Sequence, residues 1–97
     1  MAVTKATDEE IQAVLDEVGA WTVEDGKLHR EYVFQDFVQA FGFMTQAALL
    51  AERGAHHPEW FNVYNRVVVD LTTHEASGIT DRDFDLARGM EQVANRM

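Results

Sequence analysis

The chain has 97 residues, no cysteine, 46% apolar content and a formal net charge of −9. That length suits one domain, since domains typically run about 100–150 residues, and the apolar content argues against disorder. Missing cysteine excludes disulfide staples, thiolate metal sites and a cysteine nucleophile, while eight scattered Lys and Arg residues give no basic face for nucleic acid.

Met1 to Thr7 is polar, and Asp8, Glu9 and Glu10 follow where a signal peptide would need an apolar run. Residues 1–7 are expected to form a flexible tail. Thr7-Asp8-Glu9-Glu10 reads as a helix start: Thr7 caps, Glu10 completes a capping box, and the three acids suit the positive end of the helix dipole. Ile11, Val14, Leu15 and Val18 recur at helical spacing and Gly19 is a natural stop, which predicts a helix over Asp8 to Val18.

Trp21-Thr22-Val23 and Leu28 to Phe34 flank Glu24-Asp25-Gly26-Lys27. Asp-Gly between apolar-rich runs predicts a hairpin, because both residues tolerate positive φ. Leu28, Arg30, Tyr32 and Phe34 then share one face, and His29, Glu31 and Val33 the other.

Asp36 caps a long helix to about Arg53, with Gly54 as its stop. Phe37, Ala40, Phe41, Met44, Ala47, Ala48 and Ala51 form the expected core stripe; Val38, Phe43, Leu49 and Leu50 lie beyond it. A lone small domain shows charge on the outer face of such a helix. None stands between Phe37 and Ala51, so a second buried face, most simply from self-association, is expected. The same stretch is too short to span a membrane, and a soluble, cytoplasmic protein is the default reading.

Trp60 to Tyr64 and Arg66 to Thr73 predict a second strand pair around Asn65. Val67, Val69 and Leu71 alternate there with Val68, Asp70 and Thr72. Thr80, with Asp83 three residues on, starts a final helix with another capping box. Phe84, Ala87, Met90, Ala94 and Met97 supply its stripe. The order α-β-β-α-β-β-α predicts one α+β domain over residues 1–97: a four-stranded antiparallel sheet with its helices packed on one face.

Three of the four histidines occupy two element ends, His56-His57-Pro58 and Thr72-Thr73-His74-Glu75, where function concentrates. Pro58 pushes His57 towards extended backbone, and histidine titrates near neutral pH without assistance. Three readings compete. The histidines are ordinary polar loop residues; or His56 or His57 binds zinc with His74 and Glu52 or Glu75, although no HxH or HExxH spacing is present; or they perform metal-free acid–base catalysis, which needs imidazoles near one substrate but no fixed spacing. Residue chemistry alone leaves these open.

The run Glu52-Arg53-Gly54-Ala55-His56-His57-Pro58-Glu59-Trp60-Phe61-Asn62-Val63-Tyr64-Asn65, followed by Thr72-Thr73-His74-Glu75, resembles the signature of the pterin-4a-carbinolamine dehydratases. Ala40-Phe41-Gly42-Phe43-Met44 and Gly78-Ile79-Thr80-Asp81-Arg82-Asp83 match as well, so the resemblance covers about residues 8–97. It implies dehydration of 4a-hydroxytetrahydropterin to quinonoid dihydropterin after an aromatic amino acid hydroxylase has used the cofactor. The pterin would be substrate, with no further cofactor and no metal. It also implies a homo-oligomer, dimer or tetramer, with the long helix buried between subunits; animal relatives also serve as a dimerisation cofactor of a homeodomain transcription factor.

By the same resemblance, His56 and His74 are the acid–base candidates and His57 chiefly holds the pterin. Glu52 orients a histidine or binds ring NH groups. Pro58 and Trp60 wall the flat ring, and Trp21 lies near the pocket, although the core is the ordinary place for a tryptophan. Thr72 and Thr73 offer groups to the pterin edge. Arg82 closes the site or pairs with Asp83, and Asp83 stands behind the contacting residues as a helix N-terminal carboxylate. Some relatives carry an acid just before the histidine pair, where this chain has Ala55. An alternative role for the same scaffold is an oligomeric protein-binding module with secondary or no catalysis.

Overall fold

In the computed structural model, which describes residues 3–97, Thr7 opens α1 (Asp8–Val18) with a complete capping box. Its hydroxyl accepts from the Glu10 N–H, and the Glu10 carboxylate accepts from the Thr7 N–H. The expected tail is tied down earlier than Thr7. The Ala6 N–H donates to the Ile79 carbonyl at 2.8 Å, and the Lys5 stem lies over Gly78, where a Cβ would come within 2.7 Å of it. Met1 and Ala2 lie outside the described residues.

Asp25 and Gly26 take φ values of 52° and 76°, closing a two-residue turn between β1 (Thr22–Glu24) and β2 (Lys27–Val33). Next come α2 (Phe37–Arg53), β3 (Glu59–Val63), β4 (Arg66–Leu71) and α3 (Asp81–Asn95). The sheet is antiparallel throughout, in the order β1-β2-β4-β3, so β4 sits between β2 and the edge strand β3. Strand alternation sorts its faces. Leu28, Tyr32, Val67, Val69 and Leu71 join α2 and α3 residues in one core, while Glu31, Phe61 and Val63 on the opposite face stay exposed.

The buried stripe of α2 differs in phase from the expected one. Ala40, Phe43, Ala47 and Ala51 are buried, whereas Phe37 and Phe41 are about half exposed, at 48% and 55%. A helix apolar on all sides leaves its phase to tertiary fit. Here Phe43 packs on Tyr32 and Phe34, with ring centroids 4.6 and 5.1 Å away. Phe37, Val38, Phe41 and Leu49 consequently form an uncovered apolar face on the single chain. In α3 the buried set includes Asp83, Leu86 and Val93 beside the expected Phe84, Ala87 and Met90, and Met97 falls past the helix end and is exposed.

β4 stops at Leu71, short of the expected Thr73. Thr73 and Gly78 exchange two backbone hydrogen bonds, closing a loop in which His74–Ala76 form one 3₁₀ turn that the sequence reading did not foresee. His74 therefore projects from this turn, at the same end of the sheet as the start of β3.

Candidate acid–base site

The chain enters the first histidine pair through a left-handed residue. Gly54, the expected stop, keeps a right-handed φ of −83°, and Ala55 takes the left-handed one, 52°. The Ala55 N–H bonds to the Glu52 carbonyl and the His56 N–H to the Ala51 carbonyl, both at 3.1 Å. These are the paired bonds of a Schellman motif, whose left-handed position favours glycine. The motif ends α2 and fixes the backbone direction at His56.

Its side chain is fixed from the other helix. His56 Nε2 lies 2.6 Å from Asp83 Oδ1. Asp83 has no solvent exposure, and its Oδ2 accepts from the Thr80 N–H and from the Thr73 hydroxyl, both at 2.9 Å. Thr73 has spent its one proton on Asp83, so the 2.7 Å contact between the Thr73 and Thr80 hydroxyls is donated by Thr80. A buried carboxylate is tolerable only when so satisfied. The capping box of α3, the loop before His74 and the His56 ring thus share one side chain.

The other two imidazoles also face carboxylates. His57 Nε2 is 3.0 Å from Glu52 Oε1, and His74 Nε2 is 3.0 Å from Glu59 Oε2. Glu59 Oε1 in turn takes Lys27 Nζ at 2.6 Å. The Lys27 ammonium, and after it His74, holds the Glu59 carboxyl below the usual carboxylate range. His56 is nearly buried, while His57 and His74 are exposed. On all three rings the same nitrogen is committed, which leaves each Nδ1 for another partner. A carboxylate on one imidazole nitrogen sets the tautomer and ring orientation for chemistry at the other.

These residues lie at one end of the sheet. Thr73, next to His74, bonds the carboxylate that holds His56, and Glu59, two residues after His57, bonds His74. Pro58, Trp60 and Thr72 are half-buried there, with Trp60 packed against the core cluster. Arg82 pairs with Glu75, at 3.4 Å, rather than with Asp83, whose oxygens are already occupied. Arg82 and His56 line a cleft of about 480 Å³ between α2 and α3. Trp21 belongs to the core cluster that Trp60 packs against. It is 3% exposed and meets Tyr32 edge-on in the core, and among the described residues its indole N–H has no hydrogen-bond partner.

Sequence reasoning missed Glu59 and Lys27 as the partners behind His74, and assigned Asp83 to the helix end without the histidine it holds. The capping box was the available signal at Asp83, but it accounted for the residue fully. His29, given no role from sequence, bonds Asp70 through Nδ1 at 2.8 Å and Glu31 through Nε2 at 3.3 Å on the open sheet face. Among the described residues no three His, Asp or Glu side chains converge to hold a metal ion.

Fold and site together define a small α+β domain that gathers carboxylate-held imidazoles at one end of its sheet. Residues 4–93 match the family model described as pterin 4 alpha carbinolamine dehydratase, and the chain belongs to that family. It is 63% identical over 91 residues to a Solibacter usitatus protein provisionally named pterin-4-alpha-carbinolamine dehydratase, covering 94% of this chain and 96% of the relative. A Rhodopseudomonas palustris protein of the same provisional name is 50% identical over 97 residues, covering 98% and 96%. In three dimensions the chain is similar to the transcriptional coactivator/pterin dehydratase from Brucella melitensis, with a TM-score of 0.90, 46% identity, and 94% and 99% of the two chains covered.

Proposed function

We propose that this dehydratase-family protein converts 4a-hydroxytetrahydropterin to quinonoid dihydropterin and water by acid–base catalysis on its own histidines, recycling the pterin cofactor of an aromatic amino acid hydroxylase in the cytoplasm. The step is redox-neutral. The C4a–O bond breaks as the leaving hydroxyl takes a proton, N5 loses its proton, and the freed pair forms a C4a=N5 double bond. One group must give a proton and another take one; a positioned acid or base contributes about 10²–10⁴-fold.

The observation that carries this reading is the shared Asp83 carboxylate, which holds His56 by one oxygen and the residue before His74 by the other. It supports His56 and His74 as the acid–base pair. His57, backed by Glu52, holds the ring, with Pro58, Trp60 and Thr72 at its faces and edge and Arg82 at the mouth. Thr73, expected at the pterin edge, is buried with its hydroxyl and N–H already committed, and positions Asp83 instead. With each Nε2 committed to a different carboxylate, the donor set favours proton transfer over shared metal ligation.

Self-association belongs to the same reading. The exposed Phe37, Val38, Phe41 and Leu49 of α2 are the surface a dimer or tetramer would cover. That face also favours a second reading, a protein-binding scaffold with secondary or no catalysis, in line with the coactivator half of the Brucella relative's name. The three histidines weigh for the enzyme. Among the described residues no helix is long and apolar enough to cross a membrane.

The test is a turnover assay. Purified protein should accelerate loss of the 4a-hydroxy intermediate, with EDTA changing nothing. A rate equal to the uncatalysed one would overturn the dehydratase reading, and a chelator-sensitive rate would restore zinc.

A further inference from the structure

Three of the eight Lys and Arg residues, Arg53, Arg82 and Arg88, line the cleft between the end of α2 and the flank of α3. At about 480 Å³ it falls within the roughly 300–1,000 Å³ typical of small-molecule sites. Asp85 is the acidic member of its lining. Arg88 is held by Glu17 at 2.8 and 3.1 Å and by Asp85 at 3.3 Å, and Arg82 meets Glu75 only at 3.4 to 3.5 Å. Among the described residues Arg53 has no carboxylate within ion-pair distance. Glu17, Glu75 and Asp85 balance the three guanidiniums in number, but among the described residues Arg53 stays uncommitted beside the cleft, which stands out in a chain of net charge −9 whose overall field repels anions. Guanidinium forks match carboxylate and phosphate oxygens in particular.

The cleft opens on His56, and pterin chemistry gives that position meaning. In the ring, C6 is bonded to N5 and N5 to C4a, so a C6 substituent emerges beside the atoms that react. A pterin placed with its reacting edge at His56 projects its side chain into the space next to that imidazole. Leu50 and Leu86, also in the lining, can flank the apolar stem of such a chain.

We propose that the Arg53–Arg82–Arg88 cleft binds a carboxylate or phosphate on the C6 side chain of the pterin, so that the preferred substrate class is a pterin with an anionic tail. Arg53 and Arg88 then set specificity. The inference rests on the dehydratase reading, because it takes the ring's position from His56.

Titration calorimetry on the full chain, comparing 7,8-dihydrofolate, whose tail carries carboxylates, with the neutral 6-methyl-7,8-dihydropterin, tests it. The unaltered protein should favour dihydrofolate by at least about fivefold at low ionic strength, and added salt should shrink the preference. Arg53→Gln and Arg88→Gln should each reduce the ratio of the two affinities by about threefold or more. Arg88 also ties α3 to α1 through Glu17, so Arg53→Gln keeps the test decisive if the Arg88 variant fails to fold. Equal affinities in the unaltered protein, or a ratio unmoved by Arg53→Gln, would overturn the anionic-tail site and leave the dehydratase reading standing. Inorganic phosphate binding as tightly as dihydrofolate would also overturn it, making the cleft a free-anion site. If neither pterin binds, the dehydratase reading falls as well.

Discussion

Nε2 of His56 and Oδ1 of Asp83 are 2.6 Å apart, although 27 residues separate them in sequence. Asp83 also satisfies the Thr80 N–H and the Thr73 hydroxyl from inside the protein. Asp83→Ala strands all three donors and should cost about 2–4 kcal/mol in a denaturant titration. Asp83→Asn, close in shape, should lose less stability yet lower the dehydration rate by roughly tenfold or more by releasing His56. An Asn variant with unchanged rate would show that the carboxylate serves α3 alone.

Ala55 holds a left-handed φ of 52° in the turn that delivers His56. A side chain there costs about 1–2 kcal/mol, partly offset by the entropy that glycine loses on folding. Ala55→Gly should therefore stabilise the protein by about 0.5–1 kcal/mol, seen as a higher denaturant midpoint at unchanged slope. A lower midpoint would contradict the Schellman geometry.

The Asp70 hydrogen bond, against the opposing effect of burial and with help from Glu31, raises the His29 pKa above its ordinary 6.5. A raised folded value means the stabilisation is complete below 6.5 and is lost as pH rises through the folded value. Stability measured in urea should fall across that window. Glu17, Glu31 and Glu59, whose carboxyls are held low, stay ionised throughout it. Asp70→Asn should flatten the fall; an unchanged slope would remove His29 as its source.

Phe43 and Phe41 separate the two faces of α2. Phe43 is fully buried, so Phe43→Ala should cost about 3–5 kcal/mol. Phe41 is 55% exposed on the single chain. Phe41→Asp should act on assembly, shifting the sedimenting species towards smaller mass. A particle of 11.0 kDa from the unaltered chain at micromolar concentration would contradict self-association.

Local signals were the most legible. The Thr7–Glu10 and Thr80–Asp83 capping boxes and the Asp25-Gly26 turn each lie within a few residues and form as the sequence implies. The phase of α2 was not legible, because apolar residues surround the helix and only the fit of Phe43 against Tyr32 selects a face. The 3₁₀ turn at His74 depends on the bridge between Thr73 and Gly78, which no periodicity records. The histidines could be picked out as candidates, but their carboxylate partners come largely from other elements. Lys27 reaches Glu59 across 32 residues, a pairing that the strand order β2-β4-β3 allows and spacing does not reveal.

The most direct test is the rate of dehydration of the 4a-hydroxy pterin by the unaltered protein and by His56→Ala and His74→Ala. The account predicts a loss of at least about tenfold in each variant, consistent with removal of a positioned acid or base. Full activity in both variants would contradict it.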